Sequence, residues 1–151
     1  MLTIESPDAL KVLAGKELGV TDWITITQER INQFADATGD HQWIHIDRER
    51  ARRESPYGST IAHGFLTLSL LSPFIMQTLE IRGSRMAVNY GLNRVRFPAA
   101  VRSESRVRAR VTLQSVREFA EGVEPTWLVT VETEGSEKPC CVAEWVARYY
   151  R

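Results

Sequence analysis

Between Ile61 and Leu79 the chain carries apolar side chains at Ile61, Phe65, Leu66, Leu68, Leu70, Leu71, Phe74, Ile75 and Leu79. A helix over this stretch is greasy on most of its faces, and such a helix must be enclosed by the rest of the fold. Pro73 should bend or split it. The most apolar window, Phe65 to Leu79, contains Pro73 and Gln77. It is also shorter than the roughly 20 residues that cross a bilayer, so it reads as a buried helix and not as a membrane span. The material to enclose it lies downstream. Val107, Ala109, Val111 and Leu113 alternate with Arg106, Arg108, Arg110 and Thr112. Trp127, Val129 and Val131 form the next alternation, and Cys141, Ala143, Trp145, Ala147 and Tyr149 the last. Period two with one apolar face marks strands lying on a core. Glu121-Gly122 and Gly135-Ser136 stand where hairpin turns are needed. The economical solution is α+β, an antiparallel sheet wrapped around one long central helix.

The first half is mostly helical. Pro7 to Leu13 suits a short helix ended near Gly15, and Trp23-Ile24-Thr25-Ile26 reads as the first strand. Thr27 can N-cap a helix carrying Ile31, Phe34 and Ala35, which Gly39 then stops. Asp47 can cap a second short helix over Arg48 to Arg53, followed by loop chemistry at Ser55-Pro56-Tyr57-Gly58. No repeat, low-complexity tract or linker divides the chain, so residues 1–151 are expected to form one domain.

Charge excludes one class of partner. The sequence balances 19 Lys plus Arg against 19 Asp plus Glu, and a protein without excess positive charge is a poor non-specific nucleic-acid binder. Sixteen of those cations are Arg. Arg106, Arg108 and Arg110 read as the wet face of a strand, whereas Arg94 and Arg96, beside Phe97-Pro98, are better candidates for anionic contacts. The N-terminal stretch has no basic n-region or apolar h-region, so no signal peptide is expected. Cys140 and Cys141 are neighbours that would point to opposite faces of a strand, poorly placed for a disulfide with each other. A reduced, cytoplasmic protein is the plain expectation.

The segment Ala37-Thr38-Gly39-Asp40-His41-Gln42-Trp43-Ile44-His45-Ile46-Asp47 holds two of the three histidines together with two carboxylates and an aromatic residue. On a continuous helix Asp40 and His45 would stand about 140° apart. In a loop after Gly39 they can converge, and a carboxylate with an imidazole can hold and deprotonate a water or exchange protons with a substrate carbon. The same residues also suit a simple turn. His41 and His45 have the i, i+4 spacing of a zinc pair. However, Gln42 stands where the metalloprotease pattern needs Glu, and Gly39 disfavours a helix there, so no metal is expected. His63 precedes Gly64 and Phe65 near the start of the apolar helix. The free amide of Gly64 could receive a developing oxyanion, or the glycine could simply give clearance for packing.

These residues resemble the MaoC-like dehydratase family, which includes the (R)-specific enoyl-CoA hydratases of hot-dog fold. Phe34-Ala35-Asp36-Ala37-Thr38-Gly39-Asp40-His41-Gln42-Trp43-Ile44-His45, with Ala51 six positions on, follows the family's hydratase motif. His63-Gly64-Phe65-Leu66 and Val95-Arg96-Phe97-Pro98 follow its two later motifs. The departure is Gln42-Trp43, where the family usually has Asn-Pro. The resemblance implies a hot-dog fold and makes Asp40 and His45 the catalytic pair that activates water. It places the thioester oxygen at the Gly64 amide. Gln42, Trp43, His63, Phe65, Arg94 and Arg96 become pocket or CoA candidates. The implied reaction is syn hydration of a trans-2-enoyl thioester, carried on CoA or an acyl-carrier protein, to the (R)-3-hydroxyacyl thioester, with no cofactor. It further implies a homodimer or a dimer of dimers, with the site near the interface. A hot-dog thioesterase and a non-catalytic acyl-thioester-binding subunit are the alternatives, since one fold hosts many functions.

Overall fold

The computed structural model describes all residues from 1 to 151. A short strand β1 (Leu2–Ile4) leads into a 3-10 helix over Pro7–Leu13, capped by the side chain of Ser6, and then into β2 (Lys16–Val20) and β3 (Ile24–Ile26). Helix α1 (Gln28–Thr38) follows, and its two ends are set locally. Thr27 accepts the N–H of Arg30, and Gly39 takes the left-handed conformation (φ 80°) that closes the last turn. Two short helices come next, α2 (Trp43–Ile46) and α3 (Arg48–Glu54), the latter capped by the Asp47 carboxylate accepting from the Arg50 N–H. Residues 16–20 carry no clean alternation, which is why β2 is not evident from the sequence.

The long central helix is interrupted. It forms as α4 (Gly64–Ser69) and α5 (Leu71–Thr78), broken at Leu70. Pro73 is the cause: in a continuous helix residue 73 would donate to the carbonyl of Ser69, and proline has no N–H to give. Within α5 it sits in the first turn, where that N–H is not needed. Nor does the helix begin at Ile61. That residue is extended, with its N–H donating to the Ile44 carbonyl and a bridge to Arg102.

The remaining chain is sheet: β4 (Leu79–Ile81), β5 (Met86–Arg96), β6 (Ser105–Phe119), β7 (Gly122–Thr133) and β8 (Cys141–Tyr150). β4 pairs in parallel with β1. The main sheet runs β2-β6-β7-β8-β5, antiparallel throughout, with β3 also on β6. Its inner face presents Val107, Val111, Leu113, Trp127, Val129, Val131 and Ala143, all fully buried, against Leu66, Leu71, Phe74 and Ile75 of the helices. The sheet covers one side of the helix pair only, so Phe65 and Met76 remain 69% exposed, and enclosure by this chain is partial. The outer face is a charged ladder in which Arg106 meets Glu134, while Arg108 and Arg110 share Glu132. Such half-exposed pairs contribute little stability each. No helix is long and apolar enough to cross a membrane. Cys140 and Cys141 are both free and buried.

Candidate active site

The site begins where α1 stops. The left-handed turn at Gly39 swings Asp40 away from the helix axis, and the Asp40 Oδ1 accepts the N–H of Gln42 at 3.3 Å. The chain then re-enters a helix, contrary to the expectation of an open loop through His45. Trp43–Ile46 forms one turn, in which the His45 N–H donates to the Gln42 carbonyl at 3.0 Å. Gly39 bends the chain before this turn and does not prevent it. Asp40 and His45 are thus on either side of a bend and converge, as they could not on one straight helix.

His45 is 7% exposed. Its Nδ1 lies 2.7 Å from the carbonyl oxygen of Ile61. A carbonyl only accepts, so Nδ1 carries the proton and Nε2 is left as the basic nitrogen, an assignment made from the hydrogen-bond partner. Burial holds the imidazole below the ordinary histidine range. The Ile61 carbonyl opposes that shift, His63 adds to it, and the Asp40 charge again opposes it. His45 is therefore a neutral imidazole at pH 7, able to take a proton.

His63, the residue before α4, stacks on His45 with ring centroids 3.8 Å apart and planes 24° apart, and Phe34 packs on it at 4.9 Å. Its Nε2 donates to the main-chain carbonyl of Asp40 at 3.0 Å, and its Nδ1 is buried without a partner. One imidazole thus braces both members of the pair, by stacking on one and by holding the backbone of the other. The Asp40 side chain itself is 53% exposed. The Gly64 N–H makes no hydrogen bond within the chain. Gly64 lines a cavity of about 270 Å³ together with Ile61, Ala62, Thr67, Phe97 and Val101. A Cβ at Gly64 would stand 3.3 Å from the Phe97 ring.

Other candidates fall elsewhere. His41 turns out to solvent and pairs with Asp36 at 2.9 Å, which raises its pKa, so the i, i+4 histidine pair does not assemble. The Trp43 ring lies under the Arg50 guanidinium at 4.3 Å, and neither Gln42 nor Trp43 lines the cavity at Gly64. Phe65 meets Phe97 edge to face. Arg94 and Arg96 flank Glu144 and Val142 on the sheet face turned away from α4, and neither forms an ion pair. Asp40, His45 and His63 each offer a ligand atom within 4.8 Å of the others. The stacked rings argue against a shared metal ion, because lone pairs held in two nearly parallel ring planes 3.8 Å apart are not aimed at one point between them. The sequence reading missed Gln28, Thr60 and Ile61. Gln28 and Ile61 bond His45, and Thr60 bonds Gln28, through ordinary buried polar groups and a backbone carbonyl, which leave no motif.

Residues 11–134 match the family model of the MaoC like domain. The chain is 55% identical over 150 residues to 3-hydroxyacyl-thioester dehydratase Z of Mycobacterium tuberculosis, covering 99% of each. Among solved structures it superposes on a monoamine oxidase regulatory protein from Archaeoglobus fulgius with a TM-score of 0.80, at 21% identity, covering 100% of this chain and 99% of that one. It superposes on the (R)-hydratase from A. caviae involved in PHA biosynthesis with a TM-score of 0.70, at 22% identity, covering 87% of this chain and 95% of that one. The structural likenesses establish the hot-dog fold. With the family domain matched over most of its length and a relative alike from end to end, the chain is an enzyme of the MaoC-like dehydratase family.

Proposed function

We propose that the protein interconverts trans-2-enoyl thioesters and (R)-3-hydroxyacyl thioesters. The observation that carries this reading is the meeting of the neutral His45 imidazole with the Asp40 carboxylate and with His63, the residue that leads into the unpaired Gly64 N–H at the start of α4. Hydration needs those parts. The water oxygen bonds to C3, the Asp40/His45 pair takes one proton from that water and returns one to C2 from the same face, and the C2=C3 π bond is consumed. Negative charge that develops on the thioester oxygen is met by the Gly64 N–H. Nothing is oxidised or reduced, so the step as written calls on no cofactor. Dehydration is the same path reversed, and the relative's name, 3-hydroxyacyl-thioester dehydratase, supports that direction.

The working unit in this reading is a homodimer. β5 is the last strand of the sheet, and Met86, Val88, Tyr90 and Leu92 on it are each between 38% and 54% exposed. An apolar edge strand of eleven residues invites pairing with a second copy. Such a partner would also cover Phe65 and Met76.

Purified protein mixed with crotonyl-CoA is expected to remove the conjugated enoyl absorbance without releasing free thiol, and chiral analysis is expected to show the (R) alcohol. Thiol release would identify a thioesterase instead, and loss of neither would point to a binding subunit. Repeating the assay with an acyl-carrier-protein thioester distinguishes the carriers, and light scattering of the eluting protein reads the dimer.

A further inference from the structure

Gln28, the first residue of α1, is 7% exposed, and its side-chain amide is used at both ends. Nε2 donates to the His45 carbonyl at 2.7 Å and to Asn32 Oδ1 at 2.9 Å, while Oε1 accepts the Thr60 hydroxyl at 2.5 Å. Thr60 is 2% exposed and immediately precedes Ile61. Ile61 in turn donates its N–H to the Ile44 carbonyl at 3.0 Å and receives the His45 Nδ1–H at 2.7 Å. The bonds close a circuit. The main chain of His45 and its ring are both tied to residues 60–61, and the Gln28 amide is the strut between them. The strut is itself anchored, because the Gln28 N–H donates to Glu104 Oε1 at 3.0 Å. Leucine would fill a similar volume without two donors and an acceptor, so packing alone does not call for an amide here.

We propose that Gln28, acting through Thr60, is a positioning residue that fixes the Ile61 carbonyl against His45 and so selects the imidazole tautomer whose basic nitrogen is Nε2. The hydrogen bond made by one ring nitrogen decides the state of the other. A small displacement of a reacting group is costly in rate even when binding is preserved. This inference rests on the reading of His45 as the proton-transferring base.

The test uses the full-length protein and two readouts, steady-state hydration of crotonyl-CoA and the ¹⁵N NMR shifts of the His45 ring, which report the tautomer without turnover. Wild type is expected to show the Nδ1–H form. Gln28→Leu and the near-isosteric Thr60→Val are each expected to give a mixed tautomer and to lower kcat by about 10²-fold with KM little changed. Thr60→Ser, which restores the hydroxyl, is expected to return both to wild type. If Gln28→Leu does not fold, Thr60→Val and its serine counterpart carry the test alone. Retention of the Nδ1–H signature in the folded variants overturns the proposal whether or not kcat falls, and so does a kcat near wild type. A wild-type protein without hydration activity would overturn the function instead, and the NMR arm would still decide the positioning.

Discussion

Replacing Asp40 by asparagine should separate what this residue does for the reaction from what it does for the fold. The side chain is 53% exposed, and its one close hydrogen bond is the acceptance of the Gln42 N–H at 3.3 Å, which an asparagine carbonyl can also accept. The substitution adds no volume, and the buried contact that His63 makes is to the Asp40 backbone, which is unchanged. Surface replacements of this kind fall within about 0.5 kcal/mol. For a domain of this size that corresponds to a Tm change of no more than about 2 °C. The rate should respond quite differently. An amide cannot take a proton from water, and removing a positioned acid–base group costs on the order of 10² to 10⁴-fold. A 10²-fold loss in kcat/KM is about 2.7 kcal/mol of lost transition-state stabilisation, several times the effect on folding. Enoyl loss from crotonyl-CoA measures the first quantity and thermal unfolding the second. An Asp40→Asn protein with kcat/KM within a few-fold of wild type would refute the catalytic reasoning. A normal rate loss accompanied by a large drop in Tm would refute the claim that Asp40 is dispensable to the fold.

Three further outcomes are expected. Because burial keeps the native His45 pKa below the ordinary value of 6.5, kcat/KM should hold through that pH and fall only below it. The unfolded chain binds the proton more readily in that window, so stability should also be lost as pH falls from about 6.5 toward the native value, as urea titrations at several pH values would show. Gly122→Ala should destabilise by about 2 kcal/mol or more in denaturant unfolding, since a Cβ there meets the Tyr149 backbone carbonyl across the β7–β8 pair and backbone has little room to yield. Burial pushes the Cys141 thiol up to about 12 and raises that of Cys140, so neither should react with a thiol reagent at pH 8 in the native protein, and both should titrate in denaturant.

What was legible in the sequence is what depends on near neighbours. The strand alternations from Arg106 to Tyr149 appear as β6, β7 and β8 with the expected face inward, because a two-residue period is a property of the backbone itself. Thr27, Gly39 and Asp47 punctuate the helices as read, since each acts on amides or carbonyls within four residues. The ordered motifs also singled out Asp40, His45 and His63, whose polar side-chain atoms lie within 4.8 Å of one another. Tertiary structure alone decided how those groups are held. Ile61 lies 16 residues from His45, Asp40 lies 23 from His63, and Thr60 lies 32 from Gln28, so no local pattern encodes these contacts. The same applies to the apolar helix. Its composition required a cover, but only the placement of the sheet showed that one side is buried and that Phe65 and Met76 are left open. Periodicity specifies which face of an element is apolar, and the packing of distant segments specifies what meets it.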